Sequence, residues 1–185
     1  MRPSSPSATG SASVHASTDD FRAAMRRFPT GVAIVTTAHD GRIHGFTVNS
    51  FASVSVDPPT VLICVNRSAT AHPLIASSQR FCVNILALEQ RALAERFAGG
   101  EPRSRFDGVG YRIGPSGSPI LEGTLAHVDC VLGEELTAST HTIFLGTVLD
   151  AGRRDGAPLG YFNRSYHDFH VHAANGKPTD EARPG

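Results

Sequence analysis

Residues 31–66 form a succession of β-rich runs that are separated by turn residues. Val, Ile, Thr and Phe dominate these runs, and such residues favour strands over helices. The runs are GVAIVTTA (31–38), RIHGFTV (42–48) and TVLICVN (60–66). Asp40-Gly41 joins the first two runs and is typical of a two-residue hairpin turn. Strands joined in this way pair antiparallel, so this part of the chain predicts an antiparallel sheet.

The rest of the chain adds four more strands and a few short helices. LAHVDCVL (125–132) alternates strictly between apolar and polar residues, as a half-buried strand does. Further predicted strands are FCVNIL (81–86), HTIFLGTVLD (141–150) and YFNRSYHDF (161–169), and the predicted helices are 18–28, 70–78 and 88–98. About seven strands with short helices predict a mainly β fold, an antiparallel barrel with helical decoration.

The composition divides the 185 residues into one domain and two polar ends. Residues 1–16 are rich in Ser, Pro and Ala and are predicted to form a disordered leader. Residues 171–185 are predicted to form a flexible tail. The range 17–170 between them is long enough for one domain with a proper core.

The charge balance argues against nucleic acid or a membrane surface as a partner. Lys+Arg and Asp+Glu each number 17, so there is no basic excess. No apolar run approaches the roughly 20 residues of a transmembrane helix, and the N-terminus lacks the apolar segment of a signal peptide. Cys64, Cys82 and Cys130 lie in apolar runs typical of buried thiols. We therefore expect a cytoplasmic protein.

Common catalytic motifs do not account for this chain. The sequence contains no GxGxxG, GxxxxGK[ST], GxSxG, HExxH or paired CxxC motif. His170 and His172 would share one face of a strand, but no acidic or thiol partner has a matching spacing, so we expect no metal site there. Paired carboxylates for acid–base chemistry are also scarce. This pattern favours a reaction whose chemistry belongs to an organic cofactor.

Two polar passages are candidates for holding such a cofactor. FTVNSFASVSVDPP (46–59) reads as a strand, yet it contains more small hydroxyl and amide groups than a structural strand needs. Groups of this kind suit the heteroatoms of a flavin ring. Residues 66–70, NRSAT, offer amides, hydroxyls and one cation to a phosphate at a strand end. Ordinary turn and cap chemistry is the alternative explanation for both passages.

Seven segments, taken in their order and spacing, resemble the short-chain flavin reductases of two-component monooxygenases. The resemblance covers about residues 18–169. It is carried by PTGVAIVTT (29–37), GFTVNSFASVSVDPPTVLICVNRSAT (45–70), FCVNIL (81–86), AERFAG…SRFDGV (94–109), SPILEGTLAHVDC (118–130), HTIFLG (141–146) and GYFNRSY (160–166). The resemblance implies a homodimeric, antiparallel Greek-key split β-barrel that oxidises NADH or NADPH, reduces FAD or FMN, and supplies reduced flavin to a partner monooxygenase.

The resemblance also implies which residues bind the flavin. The residues expected to line the ring and the ribityl chain are Thr47, Val48, Asn49, Ser50, Ser53, Val54 and Ser55. The residues expected at the phosphate are Asn66, Arg67, Ser68, Ala69 and Thr70. Asn84 would support the site from the next strand, and Arg105 and Phe106 would approach the flavin.

The nicotinamide is expected to meet residues from both ends of the domain. His141 resembles the family's histidine near the nicotinamide and is the candidate catalytic residue, with Thr30, Gly31, Tyr161, Arg164 and Tyr166 around it. The chain departs from the family at Ser139-Thr140-His141, where an Asp often precedes the His. The protonation state of His141 is therefore open, and a positioning role is the firmer expectation. Plain alternatives are an exposed strand start for His141, a surface ion pair for Arg164 and a helix-to-strand break at Gly31.

Three hypotheses follow from the sequence. The leading one is an NAD(P)H-dependent flavin reductase that uses flavin as a dissociable substrate. The second keeps the fold but binds the flavin tightly and carries electrons to another acceptor. The third is a flavin-binding module without enzymatic activity. The sequence alone does not separate FAD from FMN or NADH from NADPH.

Overall fold

The computed structural model describes residues 15–169 and shows twelve strands, three α-helices and one 3₁₀ turn. Most of the predicted leader, the predicted tail, His170 and His172 lie outside the described residues. The helices are α1 (Thr18–Met25), α2 (Ala71–Ser78) and α3 (Arg91–Gly99), and Leu88–Gln90 form the 3₁₀ turn. The strands are β1 (Thr30–Gly31), β2 (Ala33–His39), β3 (Arg42–Val48), β4 (Phe51–Val56), β5 (Pro59–Asn66), β6 (Arg80–Ile85), β7 (Tyr111–Ile113), β8 (Pro119–Leu121), β9 (Ala126–Ala138), β10 (His141–Arg153), β11 (Leu159–Phe162) and β12 (Ser165–Asp168).

Seven strands form the main sheet, in the order β3-β2-β6-β9-β10-β5-β4. Every neighbouring pair in it runs antiparallel. The predicted hairpin between β2 and β3 is confirmed, and both turn residues have positive φ, 48° at Asp40 and 72° at Gly41. This is the primed turn that matches the twist of paired strands. The mainly β, antiparallel class predicted from the sequence is therefore confirmed.

The main sheet curls around one apolar core. Its edge strands β3 and β4 are connected by Asn49 and Ser50 alone, so the chain passes directly from one edge of the sheet to the other. Val48 at the end of β3 and Phe51 at the start of β4 pack into the same core as Phe81 and Phe144. No ladder of backbone hydrogen bonds joins β3 to β4 in the described chain, so the sheet is a barrel that remains split at this point.

Helix α2 covers the main core where β5 crosses to β6. Ala71 and Ile75 are buried among the core side chains. Ser78, at the last turn, shares a hydrogen bond of 2.7 Å with Thr37 of β2. Gln79 ends the helix with φ 56°, a left-handed conformation that turns the chain into β6. The predicted helix 70–78 is confirmed within one residue.

A second, smaller core lies between α3 and the other face of β2. Ala94 and Phe97 of α3 are fully buried there, against Ile34 and Leu86. Gly45 of β3 makes this packing possible, because a Cβ at that position would lie 2.6 Å from the Phe97 ring. Helix α3 is therefore fixed against the strand that leads to Asn49.

Helix α1 is tied to the rest of the described chain at its C-terminal end. Ser17 caps it by accepting a hydrogen bond from the Asp20 amide at 3.0 Å. The Asn163 amide donates to the Arg26 carbonyl at 3.1 Å and ties the helix to the small sheet β1-β11-β12. No residue of α1 is buried. None of the helices among residues 15–169 is long and apolar enough to cross a bilayer.

Several element boundaries differ from the prediction. The predicted strand 161–169 is wrong, because β11 and β12 form a hairpin whose turn uses Asn163 and Arg164 at positive φ instead of glycine. The passage 46–59 was predicted as one strand but contains the end of β3 and all of β4. The strand is interrupted at Asn49 and Ser50, where the chain passes from one edge of the main sheet to the other. The predicted helix 88–98 starts as a 3₁₀ turn. The two- and three-residue strands β1, β7 and β8 are too short to show a periodic pattern.

Candidate functional site

Three cavities meet at the crossing between β3 and β4. Their volumes are about 500, 190 and 340 Å³, and Asn49 lines all three. The first lies beneath α1 and the β11–β12 turn, the second beside Tyr161 and Tyr166, and the third along β1. Ligand sites in proteins are commonly clefts of a few hundred cubic ångströms with few polar groups. This crossing is therefore the candidate site.

Asn49 is held on the rim of the site by its neighbour. The Ser50 hydroxyl donates to the Cys64 carbonyl at 3.0 Å, and the Cys64 amide donates to the Ser50 carbonyl at 3.1 Å. These two bonds fasten the crossing to β5. The Asn49 side chain is exposed and makes no hydrogen bond with any other residue in 15–169. Its amide is free to serve both as donor and as acceptor.

The floor of the site comes from β3 and β1. The Thr47 hydroxyl donates to the Ala94 carbonyl at 2.7 Å, and Val48 is 8% exposed and packs into the main core. Thr30 is unusual because its hydroxyl oxygen is buried and has no hydrogen-bond partner among residues 15–169. A Cβ at Gly31 would meet no atom within 4 Å, so the space above that residue is open.

Two tyrosines close the second cavity. The rings of Tyr161 and Tyr166 meet edge to face, with their centroids 5.5 Å apart. Burial raises the pKa of Tyr166 above its ordinary value, and the negative charge of Glu95 adds to the effect. The Arg91 guanidinium lies 5.7 Å from the centroid of the Tyr166 ring. Both phenols are predicted nicotinamide contacts, and both line the cavity. Arg164 lines the first cavity.

The predicted flavin residues of β4 lie outside these cavities. Ser53 and Val54 are exposed, at an irregular step in the pairing of β4 with β5. The Ser55 hydroxyl donates to the Asp57 carbonyl at 3.0 Å and accepts from the Asp57 amide at 3.2 Å. Ser55 therefore serves the turn after β4, as the turn alternative predicted.

The predicted phosphate residues form a second group, at the ends of β5 and β10. The Asn66 side-chain oxygen accepts from the amide and the hydroxyl of Ser68, at 2.9 and 2.8 Å. Arg67 is exposed and anchored only through its amide, which donates to the Thr140 carbonyl. The Thr70 hydroxyl makes no capping bond to α2, and Ala69 packs on the main core.

His141 belongs to this second group. It pairs with Asn66 across β5 and β10, and its Nδ1 lies 2.9 Å from the Thr140 hydroxyl. The side chain is exposed and lines none of the three cavities. Strand β5 separates it from the crossing at Asn49. The structure therefore does not bring His141 together with the other predicted nicotinamide residues within this chain.

Three predicted residues have structural partners. Asn84 is fully buried: its amide nitrogen donates to the Ile34 carbonyl and the Thr36 hydroxyl, and its oxygen accepts from the Leu121 amide. Arg105 donates to the carbonyls of Gly45 and Gly100. Burial lowers its pKa.

Phe106 lies between the rings of Phe97 and Tyr111, at 5.0 and 5.8 Å. Like Asn84 and Arg105, Phe106 therefore has a structural role in the described chain, here in the smaller core. None of the three lines the cavities at Asn49.

The sequence did not reveal the contribution of α1. Phe21, Arg22, Met25 and Arg26 line the first cavity together with Asn163. The helical spacing of Phe21, Met25 and Phe28 was visible in the sequence. However, the same spacing is typical of a helix that packs on the core, so it gave no sign that this face would line a cavity.

Within residues 15–169, no three His, Cys, Asp or Glu side chains cluster in a way that could hold a metal ion. The site is instead rich in hydroxyl, amide and aromatic groups. That set of side chains suits a flat organic molecule with polar edges.

Comparisons with known proteins agree with this geometry. Residues 25–170 match the model of the flavin reductase like domain. The chain is 40% identical over 151 residues to the FMN reductase (NADH) RutF of Stutzerimonas stutzeri, covering 80% of this chain and 87% of the relative. It is 38% identical over 162 residues to the flavin-dependent monooxygenase reductase subunit HsaB of Rhodococcus jostii, covering 85% and 83%.

A solved structure supports the same assignment. The NADH:FAD oxidoreductase SgcE6 of Streptomyces globisporus, in complex with NAD and FAD fragments, superimposes with a TM-score of 0.79 at 34% sequence identity. The match covers 84% of this chain and 94% of that structure. The resemblance inferred from the sequence and the predicted split-barrel fold are thereby confirmed. This chain belongs to the flavin reductase-like domain family.

Proposed function

We propose that this protein is an NADH-dependent flavin reductase that delivers reduced FMN or FAD to a separate monooxygenase. The observation that carries the proposal is the set of three cavities at Asn49, in a chain whose relatives are named as FMN reductase and as a monooxygenase reductase subunit. NADH is the donor named for the RutF relative and for SgcE6, while the flavins named for these two differ.

The unpartnered polar groups at the crossing fit two flat rings with polar edges. The Asn49 amide and the Thr30 hydroxyl have no partners among residues 15–169, although the Thr30 oxygen is buried. Buried polar atoms normally find a partner: a flavin ring with donor and acceptor heteroatoms would supply one for Asn49, and the carboxamide of the nicotinamide would supply one for Thr30. Thr47, Val48 and Ser50 would hold the ring edge beside them. A bound flavin supplies the hydride-accepting chemistry, which the side chains of this site lack.

The loop after β5 fits a phosphate. Arg67 contributes a cation that is unpaired among residues 15–169, and the hydroxyls of Ser68 and Thr70 follow within three residues of it. The Asn66 side chain fixes the loop from within by accepting two hydrogen bonds from Ser68. A guanidinium beside hydroxyls and backbone amides is a common phosphate environment. The flavin would thus reach from Asn49 along β5 to Arg67.

Residues on β1, β11 and β12 would orient the nicotinamide. Tyr161 and Tyr166 offer ring edges, and the open space above Gly31 leaves room for a second flat ring. These apolar walls would exclude water from the reacting faces, which favours hydride transfer over side reactions. The exposed His141 would act at the phosphate end of the flavin, by position rather than by proton transfer.

We extend the proposal to a homodimer. Large apolar side chains remain at least one-third exposed on the neighbouring strands β9 and β10 and on the edge strand β4; these are Val131, Leu136, Leu149, Val54 and Val56. Monomeric proteins rarely expose many such groups near one another. Strand β4 is also an unpaired edge of the main sheet, open to pairing in the described chain. Light scattering at several concentrations would measure the mass directly.

A cytoplasmic location is also proposed. Cys64, Cys82 and Cys130 are all free thiols; Cys82 and Cys130 are buried as predicted, whereas Cys64 is only half-buried. Burial raises the pKa of the Cys130 thiol to about 12, and Asp129 adds to this effect, so the thiol stays protonated and unreactive. Unpaired buried thiols of this kind are common in reducing compartments.

The deciding experiment measures NADH oxidation at 340 nm by flavin-stripped protein, with FMN, FAD or no flavin added. Saturable oxidation that requires added flavin is the expected result, and the two kcat/KM values rank the flavins. A protein that retains its flavin colour through purification and passes electrons without added flavin would indicate the tightly bound alternative. Flavin binding without oxidation of NADH or NADPH would reduce the function to binding.

A further inference from the structure

The cavity beneath α1 has a cationic wall. Arg22, Arg26 and Arg164 line it, and its lining includes no Asp or Glu. The whole chain has equal numbers of cationic and anionic side chains, 17 of each, so three arginines around one cavity are a local excess. Arg22 lies in α1, Arg26 caps the C-terminal end of this helix, and Arg164 lies in the β11–β12 turn.

These cations are available to a ligand. Among residues 15–169, Arg22 has a single side-chain partner, Asp19, at 3.7 Å, and the two side chains are 66% and 96% exposed. An ion pair this exposed is weak and easily exchanged. Neither Arg26 nor Arg164 makes a side-chain hydrogen bond or an ion pair with another residue in the described part of the chain. Guanidinium groups bind phosphate oxygens in a planar, bidentate manner.

The backbone keeps two of the arginines together. The Asn163 amide donates to the Arg26 carbonyl at 3.1 Å, which ties the turn to the end of α1. Asn163 and Arg164 have φ of 49° and 66°, a region in which glycine is favoured. Arginine therefore stands at a turn position where a smaller residue would fit more easily.

An apolar face of α1 adjoins the cations. Phe21, Met25 and Phe28 are 60%, 49% and 63% exposed, and all three line the cavity. Exposed aromatic side chains beside arginines are the combination that holds nucleotides, with the base stacked and the phosphates paired. An acidic peptide would use the charges but would leave this apolar face unexplained.

We propose that this cavity binds the adenosine diphosphate portion of NADH, with its phosphates at Arg22 and Arg26 and its adenine on Phe21 and Met25. This assignment rests on the proposed function, since the cavity shares Asn49 and Tyr161 with the cavity proposed for the nicotinamide. FAD carries the same adenosine diphosphate group, so the experiment must separate the two sources.

The first test titrates flavin-free protein with ADP-ribose in a calorimeter. ADP-ribose contains the proposed group and neither a nicotinamide nor a flavin. We expect saturable binding that weakens about tenfold or more in the double variant Arg22→Gln/Arg26→Gln, because two charge-assisted contacts are lost. Arg27→Gln is the matched control, since Arg27 follows the same helix but does not line the cavity. Equal affinity in the double variant, or no binding to the wild type, overturns the proposal.

Adding a flavin to the titration identifies the source of the group. With the cavity reserved for NADH, ADP-ribose binds with the same affinity in the presence of saturating FAD or FMN. Displacement by FAD but not by FMN would mean that the cavity holds the flavin's own adenosine diphosphate, and the proposal would be wrong.

The second test compares two hydride donors, with FMN as the acceptor. NADH carries the phosphates, and 1-benzyl-1,4-dihydronicotinamide does not. In the double variant, the ratio of kcat/KM for NADH to kcat/KM for the benzyl compound should fall about tenfold, and in Arg27→Gln it should stay at the wild-type value. An unchanged ratio in the double variant contradicts the proposal. No turnover of either donor by the wild type would contradict the proposed function, while the ADP-ribose titration would still decide the role of the cavity.

Discussion

Two asparagines in this fold show what separates a structural polar group from a candidate binding group. Asn84 lies in the middle of the sheet, fully buried, and both ends of its amide are used by Ile34, Thr36 and Leu121. Asn49 lies at the sheet crossing, exposed, and borders three cavities without a hydrogen bond to the described chain. The residue type is the same, and only the partners differ.

The polar groups near each asparagine show the same difference in hydrogen bonding. Around Asn84 the polar groups are satisfied: Asp129 is buried, and its oxygens accept from the Ser116 amide and hydroxyl. Near Asn49 the hydroxyls of Thr47 and Ser50 are also hydrogen-bonded, but Thr30 keeps a buried hydroxyl without a partner in the described chain. A satisfied network stabilises the fold, whereas an unsatisfied one is costly unless a ligand completes it.

The largest effect is expected at Asn84. Asn84→Ala removes a side chain that makes three hydrogen bonds of 2.8 to 3.1 Å and leaves their partners unpaired inside the protein. We expect the free energy of unfolding to fall by about 3 kcal/mol, as measured by urea denaturation. A loss below about 1 kcal/mol would show that water replaces the amide, and the contrast between the two asparagines would then be weak.

Asn49→Ala should have the opposite profile. Its free energy of unfolding should stay within about 0.5 kcal/mol of the wild type, because the exposed side chain makes no hydrogen bond with residues 15–169. Flavin affinity should fall about tenfold, because one hydrogen bond between the protein and the flavin is lost. Fluorescence titration with FMN and FAD measures this affinity, and folded Asn84→Ala serves as the control. Wild-type flavin affinity in Asn49→Ala would remove Asn49 from the site.

The sequence predicted much of the fold because its strongest signals are local. Asp40-Gly41 fixes a hairpin between two β-rich runs, and the alternation in 125–132 marks one face of β9. The turn at Asn163 and Arg164 could not be predicted in this way, because neither residue is glycine and the chain still adopts positive φ at both.

The candidate site was predicted less completely than the fold. Composition and resemblance pointed to both Asn49 and Asn84, but hydrogen-bond partners depend on distant strands that no local pattern reveals. Ser55 illustrates this, since its hydroxyl serves the turn at Asp57. The cavity beneath α1 was missed for the same reason. An apolar helix face in the sequence does not tell whether the fold will cover it.

Thr36 and Thr30 form a matched pair that tests the same difference between a hydrogen-bonded and an unpartnered polar group, with smaller expected effects. The Thr36 hydroxyl is buried, donates to the Pro119 carbonyl and accepts from Asn84, whereas the Thr30 hydroxyl has no partner. Thr→Val keeps the shape and removes the hydroxyl. We expect Thr36→Val to lower the free energy of unfolding by about 1 to 2 kcal/mol, and Thr30→Val to raise it by up to about 1 kcal/mol.

The effect of these two substitutions on KM for NADH should be the reverse of their effect on stability. Thr30→Val should raise KM for NADH about fivefold, because the nicotinamide carboxamide loses its hydrogen bond to the hydroxyl. The value of kcat should be less affected. Thr36→Val should keep the wild-type KM. Destabilisation of both variants by the same amount would mean that the Thr30 hydroxyl has a partner within the folded chain, and the contrast would fail.

The smallest effect concerns His44, whose Nε2 is the second buried atom without a partner in the described chain. His44 lines none of the three cavities, so no ligand at the site can supply the missing hydrogen bond to this nitrogen. Burial lowers the pKa of His44 below 6.5, and the charge of Arg105 adds to this effect. Below pH 6.5 the unfolded chain therefore takes up a proton that the folded chain resists, so stability falls as the pH falls.

The loss from this one group at pH 6 stays below about 1 kcal/mol relative to pH 7.5, given an unfolded pKa of about 6.5. His44→Gln should remove this part of the acid dependence, as measured by urea denaturation at both pH values. His39→Gln is the matched control, because His39 lies on the neighbouring strand beside the exposed Asp40. An identical pH profile for wild type and His44→Gln would mean that the folded chain accepts the proton at His44. The unpartnered His44 nitrogen would then not lower the stability of the folded chain. In that case, the lack of a hydrogen-bond partner would distinguish a binding group from a structural one only at residues that line a cavity.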